Sequence, residues 1–207
     1  MRYRENTVNT DCQNKRQQIL DAVYVVFSKK GYHKATVDEI IALADTGKGT
    51  VYNYFVNKEQ LFYTLIKEKS NPFHNNLQRI LDSDEPALEK FETMIKAFLE
   101  FYVQNADLWR YMMHEVRGFG VDCSSNMTEE QRMRYQEGFT RTIGMLEKVI
   151  LEGIEKGVVR PDCDASRVAH GLFSVIISFV FRKLVDDNVA ETAHAIADFV
   201  LYGAAKR

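Results

Sequence analysis

Thr46-Gly47-Lys48-Gly49-Thr50 has the residue types that cradle phosphate: glycines that let backbone N–H groups approach an anion, a lysine to neutralise it, and hydroxyls to hydrogen-bond it. A nucleotide-binding loop needs Gly, four residues, then Gly-Lys-Ser/Thr, set between a strand and a helix. Here Ala42 stands where the first glycine belongs, Lys48 is followed by Gly49, and Val37, Ile40, Ile41 and Ala44 before it recur with a helical period. The stretch does not read as a nucleotide loop. The five histidines, at 33, 74, 114, 170 and 194, show no metal-ligand spacing, and there is no Gly-x-Ser-x-Gly elbow. Asp162-Cys163-Asp164 is better explained by Asp164 capping a helix than by a metal. No enzyme, metal site or cofactor is expected.

The elements that must position these residues are helical. The chain has 207 residues, of which 45% are hydrophobic, so it can bury a sizeable core; 3 prolines and 11 glycines leave long unbroken stretches. Ile19, Val23, Val26 and Phe27 form one helix face, which Gly31 ends. Thr36-Val37-Asp38-Glu39 is a capping box opening a second helix of about two turns. Asn57 and Gln60 repeat the start signal ahead of Leu61, Phe62, Leu65 and Ile66. From Ser70 to Pro86 the chain is polar and interrupted by Pro72, the expected domain junction. It divides a 12–72 unit from a 73–207 unit. Leu88 to Tyr102 is apolar nearly all round and should be central. A shorter helix over Leu108 to Val116, a loop around Gly118 to Asn126, and a helix opened by Thr128 and Gln131 and stopped at Gly157 follow. An apolar helix capped by Asp164 and ending near Asp186, then a last one through Val189, Ala193, Ile196, Ala197, Val200 and Ala204, complete about nine helices without a strand. The expected fold is all-α.

Around the opening stretch these elements make two short helices joined by a tight turn, the second presented outward. Asp45 sits where the chain reverses and is one of the few non-glycine residues that tolerate left-handed backbone. On a helical wheel Val51 and Phe55 point inward, Gly49 and Asn53 almost directly away, with Thr50 and Tyr52 flanking them. Gly49 would let the backbone approach a major groove closely. Thr50 and Asn53 would reach base edges or phosphates, Tyr52 and Tyr54 would donate to phosphates, and Lys48 adds a cation at the helix start. Exposed Thr, Asn and Tyr are common on helices, so the wheel alone leaves an ordinary solvated hairpin open.

The stretch ATVDEIIALADTGKGTVYNYFVNKEQLFYTLI, residues 35–66, closely resembles the DNA-binding signature of the TetR family of bacterial transcriptional regulators. The preceding KRQQILDAVYVVFSKKGYHKATV resembles that family's first helix and its glycine-aromatic exit; together the motif covers about 55 residues. The resemblance implies that Thr36 and Val37 start the helix crossing the DNA backbone, that Lys48 to Tyr54 form the recognition helix, and that Lys58 contacts a phosphate. Where the family usually has Gly-Val-Ser, this chain has Asp45-Thr46-Gly47. The serine cap is lost to Gly47, at a cost of only a few tenths of a kcal/mol.

The resemblance further implies that the C-terminal body is a small-molecule sensor and dimerisation platform. Phe91, Met94, Phe98, Phe101, Tyr102, Trp109, Met112, Met113 and Phe139 supply aromatic and thioether surface for a largely apolar effector, with His114 and Glu115 as polar anchors. Gly171, Ser174, Ile177, Ser178 and Phe181 on one helix and Ala193, Ala197 and Ala204 on the next are the expected homodimer contact. A helical core would have the same residue types. Residues 1–70 carry 11 Lys and Arg against 8 Asp and Glu, a net of +3, whereas the rest carry 16 against 21, a net of −5. That asymmetry fits a polyanion-binding segment on an acidic body. The three unpaired-looking cysteines, the absence of a secretory start and the lack of an apolar run of roughly 20 residues point to a cytoplasmic protein without a membrane span. The expected function is a dimeric, ligand-released repressor reading a near-palindromic operator in double-stranded DNA. A helical scaffold whose helix-turn-helix does not contact DNA is the alternative.

Overall fold

The structure, a computed structural model, describes residues 2–110 and 129–203, apart from the side chains of residues 2–13, 129, 131 and 132. Among the described residues there are eight helices, a further helical stretch at residues 106–110, and no strand. The helices are α1 (Arg2–Lys34), α2 (Val37–Leu43), α3 (Lys48–Tyr54), α4 (Lys58–Leu81), α5 (Ala87–Gln104), α6 (Glu129–Glu155), α7 (Ala165–Phe181) and α8 (Val189–Tyr202). The chain contacts divide into two compact units, Met1–Asn71 and Pro72–Arg207.

In the first unit Ile19, Val23, Val26 and Phe27 are buried together, so the i, i+4, i+7, i+8 face is the core face of α1. Gly31 breaks that helix with φ 73°, a conformation costly for a residue with a Cβ. Phe27, Tyr32 and Phe62 then meet around the break, with ring centroids 5.0 Å apart for Phe27 and Phe62 and 5.1 Å for Tyr32 and Phe62.

In the second unit α5 packs against α6, α7 and α8, and its buried Phe91, Met94, Ile95, Phe98, Leu99 and Tyr102 account for its all-round apolar character. Asp164 caps α7, accepting from the Arg167 N–H at 3.1 Å. Gly157 has φ 73°, as a helix stop at that position requires. Two expectations fail here. Residues 70–81 are not an interrupted linker: α4 runs straight through Pro72, because Phe73, Leu77 and Ile80, spaced i, i+4 and i+7, are buried and their packing outweighs the missing proline donor. The apolar helix α7 stops at Phe181, ahead of Asp186, with Lys183 at φ 57° in the turn that follows. The loop expected at Gly118 to Asn126 and the cap at Thr128 lie outside the described residues.

Candidate nucleic-acid interface

The α2–α3 hairpin is built from its caps upward. Thr36 Oγ1 accepts from the Glu39 N–H at 3.3 Å, and the Glu39 carboxylate accepts from the Thr36 N–H at 3.2 Å, so the capping box is formed. Glu39 also pairs with Lys30 from α1. That cation and the cap hold its carboxyl below the usual carboxylate range. At the other end of α2 the Asp45 N–H reaches the Ala42 carbonyl and the Thr46 N–H reaches the Ile41 carbonyl, both at 3.3 Å. This is a Schellman stop, with Asp45 in the left-handed position at φ 43°. Lys15 Nζ donates to the Asp45 carbonyl at 3.3 Å and ties the turn to α1. Because a β-branched residue cannot take this backbone without strain, Asp45→Val is expected to lower stability by about 2 kcal/mol, while Asp45→Gly should be at least as stable as wild type. Urea unfolding midpoints at unchanged slope check both.

Gly47 then stands as the N-cap of α3 with extended backbone and no side-chain cap. Val51 and Phe55 are fully buried, and Arg16 covers the Phe55 ring at 5.8 Å. Lys48, Gly49, Tyr52 and Asn53 are exposed, and Thr50 and Tyr54 half-buried. The two inward anchors thereby orient the rest of the helix. Thr36 is exposed and Val37 half-buried at the start of α2. Lys58 is placed differently from a free phosphate ligand. Its Nζ lies 4.6 Å from the Tyr32 ring centroid and donates to the His33 carbonyl at 3.3 Å, and burial pulls its ammonium below the usual lysine range. First of all, Lys58 docks the start of α4 on the exit of α1.

In the second unit Phe98, Phe101, Tyr102, Trp109 and Phe139 do share one aromatic cluster. Phe101 lies 5.4 Å from Trp109, Tyr102 lies 5.6 Å from Trp109, and Phe139 meets Phe173 at 5.2 Å. Phe91 and Met94 are buried on the same helix. Met112, Met113, His114 and Glu115 lie outside the described residues. Sequence reasoning missed Phe73, stacked on Phe101 at 4.0 Å, and His74, whose Nε2 lies 2.8 Å from Thr142 Oγ1. Thr142 Oγ1 also lies 2.9 Å from the Gly138 carbonyl; donating there, it can accept from His74. Burial, with Arg141 nearby, pulls the His74 imidazole below its usual range. The signal was available: Phe73, His74 and Leu77 continue the helical period of α4 once Pro72 is read as internal.

The expected dimer residues divide. Gly171, Ser174 and Ser178 are exposed on α7, Phe181 is half-buried under Arg110, and Ile177 is buried. Ala193 and Ala197 are each only 1% exposed and face the chain's own core, since α8 packs against α5, so they are not available to a partner. Ala204 lies outside the described residues. The outward face of α8 instead shows Phe199 and Tyr202, 53% and 47% exposed. Among the described residues no group of His, Cys, Asp and Glu could hold a metal, and no helix is long and apolar enough to cross a membrane.

Residues 19–64, which span this hairpin and the helices flanking it, match the family model described as bacterial regulatory proteins, tetR family. These residues form a DNA-binding domain of the TetR type. The chain is a DNA-binding transcriptional regulator. A Bacillus subtilis fatty acid metabolism regulator protein is 27% identical over 174 residues, covering 84% of this chain and 86% of that protein. Among solved structures, a Clostridium perfringens protein assigned to fatty acid metabolism regulation is 28% identical with a TM-score of 0.77, covering 92% of this chain and all of that one (100%). The Bacillus subtilis regulator FadR in complex with stearoyl-CoA has a TM-score of 0.73 at 22% identity, covering 92% of this chain and 100% of that one, a likeness of fold.

Proposed function

We propose that this chain is a TetR-family regulator, a cytoplasmic homodimer that represses transcription by placing two α3 helices in a near-palindromic operator. The observation that carries the reading is the division of α3 into buried Val51 and Phe55 and an exposed face of Lys48, Gly49, Tyr52 and Asn53. Gly49 supports it further. A Cβ built there meets nothing within 4 Å, so nothing within the chain requires glycine, although glycine costs a helix up to about 1 kcal/mol against alanine. A requirement from outside, close approach to a groove, accounts for it. In this reading Lys48, Tyr52 and Tyr54 contact phosphates, Thr50 and Asn53 reach base edges, Thr36 and Val37 seat α2 on the backbone, and Lys58 adds a phosphate contact only with donors left over from His33.

The dimer contact is assigned to the exposed Gly171, Ser174 and Ser178 of α7 with Phe199 and Tyr202 of α8. Half-sites on a two-fold operator lie about 34–36 Å apart or a multiple of that, so a ligand in the C-terminal unit releases DNA by changing the separation of the α3 helices. The effector is largely apolar. The aromatic cluster around Phe101 and Trp109, and relatives named for fatty acid metabolism, make a long-chain acyl-CoA the first compound to test. No catalytic role is assigned.

The test measures binding to a sequence selected from random DNA, across salt concentrations, for wild type and Lys48→Ala. Wild-type affinity should fall steeply with salt, and Lys48→Ala should reduce the magnitude of the slope by about 1. No selected sequence, or binding indifferent to salt, favours the scaffold alternative.

A further inference from the structure

Asp38 is 82% exposed on its side chain, and the one ionic partner it has among the described residues is Lys48, whose Nζ lies 3.9 Å from Asp38 Oδ1. Other carboxylates of the first unit do work in the fold. Glu39 completes the cap of α2 and pairs with Lys30, and Glu68 pairs with Arg16 and so joins α4 to α1. Asp38 joins only α2 to α3, through a cation that is itself 69% exposed and stands at the start of the recognition helix. A pair at that distance and exposure contributes little to stability, so its effect must be sought in what Lys48 does next.

We propose that Asp38 is a positioning residue for Lys48 that suppresses binding to unselected DNA and so sharpens discrimination; this rests on Lys48 contacting phosphate. When α3 is seated in its own site, the closely held geometry brings a phosphate to Lys48, and the weak, solvent-screened pair with Asp38 exchanges for it. On unselected DNA the helix is not held closely. No phosphate is brought to a fixed place, and Lys48 stays neutralised by Asp38. The carboxylate therefore subtracts one cation from the non-specific encounter and much less from the specific complex. Non-specific affinity depends on the number of phosphates neutralised, so one cation more or less is visible in the salt slope.

The experiment titrates wild type, Asp38→Asn, Lys48→Ala and the double variant with the selected sequence and with random duplex of equal length, over a series of salt concentrations. Asp38→Asn should bind random duplex about 3–5-fold more tightly at low salt, with a slope steeper by up to about 1, and the selected sequence within about twofold of wild type. In the Lys48→Ala background the same substitution should change neither DNA by more than about twofold. An equal gain from Asp38→Asn in both backgrounds would overturn the proposal, because the carboxylate would then be repelling phosphate directly. Weaker binding of the selected sequence alone would overturn it too, and would make Asp38 a base reader. If Lys48→Ala matches wild type on both DNAs at every salt concentration, the phosphate contact itself fails and takes the proposal with it. That result differs from the other two.

Discussion

Gly49→Leu is expected to abolish specific DNA binding, by at least about 100-fold, while leaving the regulator as stable as wild type or slightly more so. The two halves of this result have separate causes. Within the chain the site is open, since a Cβ at Gly49 meets nothing within 4 Å and the residue is exposed on a helix. Leucine in place of glycine in a helix gains up to about 1 kcal/mol from propensity alone. Against DNA the same four carbons stand between Lys48 and Tyr52 on the outward face and hold the backbone of α3 away from the groove floor. If Thr50 and Asn53 reach base edges as proposed, a displacement of a few ångströms breaks those hydrogen bonds, each good base contact being worth about 1–3 kcal/mol. Fluorescence anisotropy with the selected duplex, beside a thermal melt of the same samples, separates the two. A stable Gly49→Leu variant that binds as wild type would show that α3 does not enter a groove. Loss of binding together with loss of fold would show that the glycine serves the chain.

What could be read in advance was local. The capping box of Thr36 and Glu39, the left-handed Asp45, the stop at Gly31 and the inward pair Val51 and Phe55 all depend on residues within one or two turns of one another. Local hydrogen bonding and helical period decide them. Pro72 was misjudged because a proline's effect on its own turn was legible and the tertiary burial of Phe73, Leu77 and Ile80 was not. The alanines of α8 are a different case. Ala193 and Ala197 share a face with Ile196, so the period already placed them inward, and small size alone had suggested a partner. The exposed Phe199 and Tyr202 lie on the opposite side of the same wheel. A ligand site is harder still, because the buried aromatic cluster that would form its wall is built from the residues that build any helical core.

Lys90 shows what no periodicity could reveal, and its removal is expected to have the largest effect on stability. It lies on the apolar helix α5, 3% exposed, where a lysine would ordinarily turn outward. Its Nζ donates to both carboxylate oxygens of Glu152, at 2.7 and 3.0 Å, and to the Leu81 carbonyl at 3.1 Å. Three donors thus meet three acceptors. One of these is a last-turn carbonyl of α4 that has no partner in its own helix, so a single ammonium closes that helix end and joins it to α5 and α6. Lys90→Met keeps most of the volume but leaves Glu152, only 27% exposed, and the Leu81 carbonyl without their donor. Breaking a buried pair from one side costs about 3–5 kcal/mol; partial exposure of Glu152 lets water recover some of that, so a loss of about 3 kcal/mol is expected. Adding Glu152→Leu to Lys90→Met should restore most of it, because the cost lies in the stranded carboxylate more than in the absent attraction. Trp109, the sole tryptophan and buried in the same unit, reports the unfolding in urea. A Lys90→Met midpoint unchanged from wild type would mean that the ammonium's three bonds only offset its desolvation. A double variant no better than the single one would place the loss in packing at α5 and not in charge.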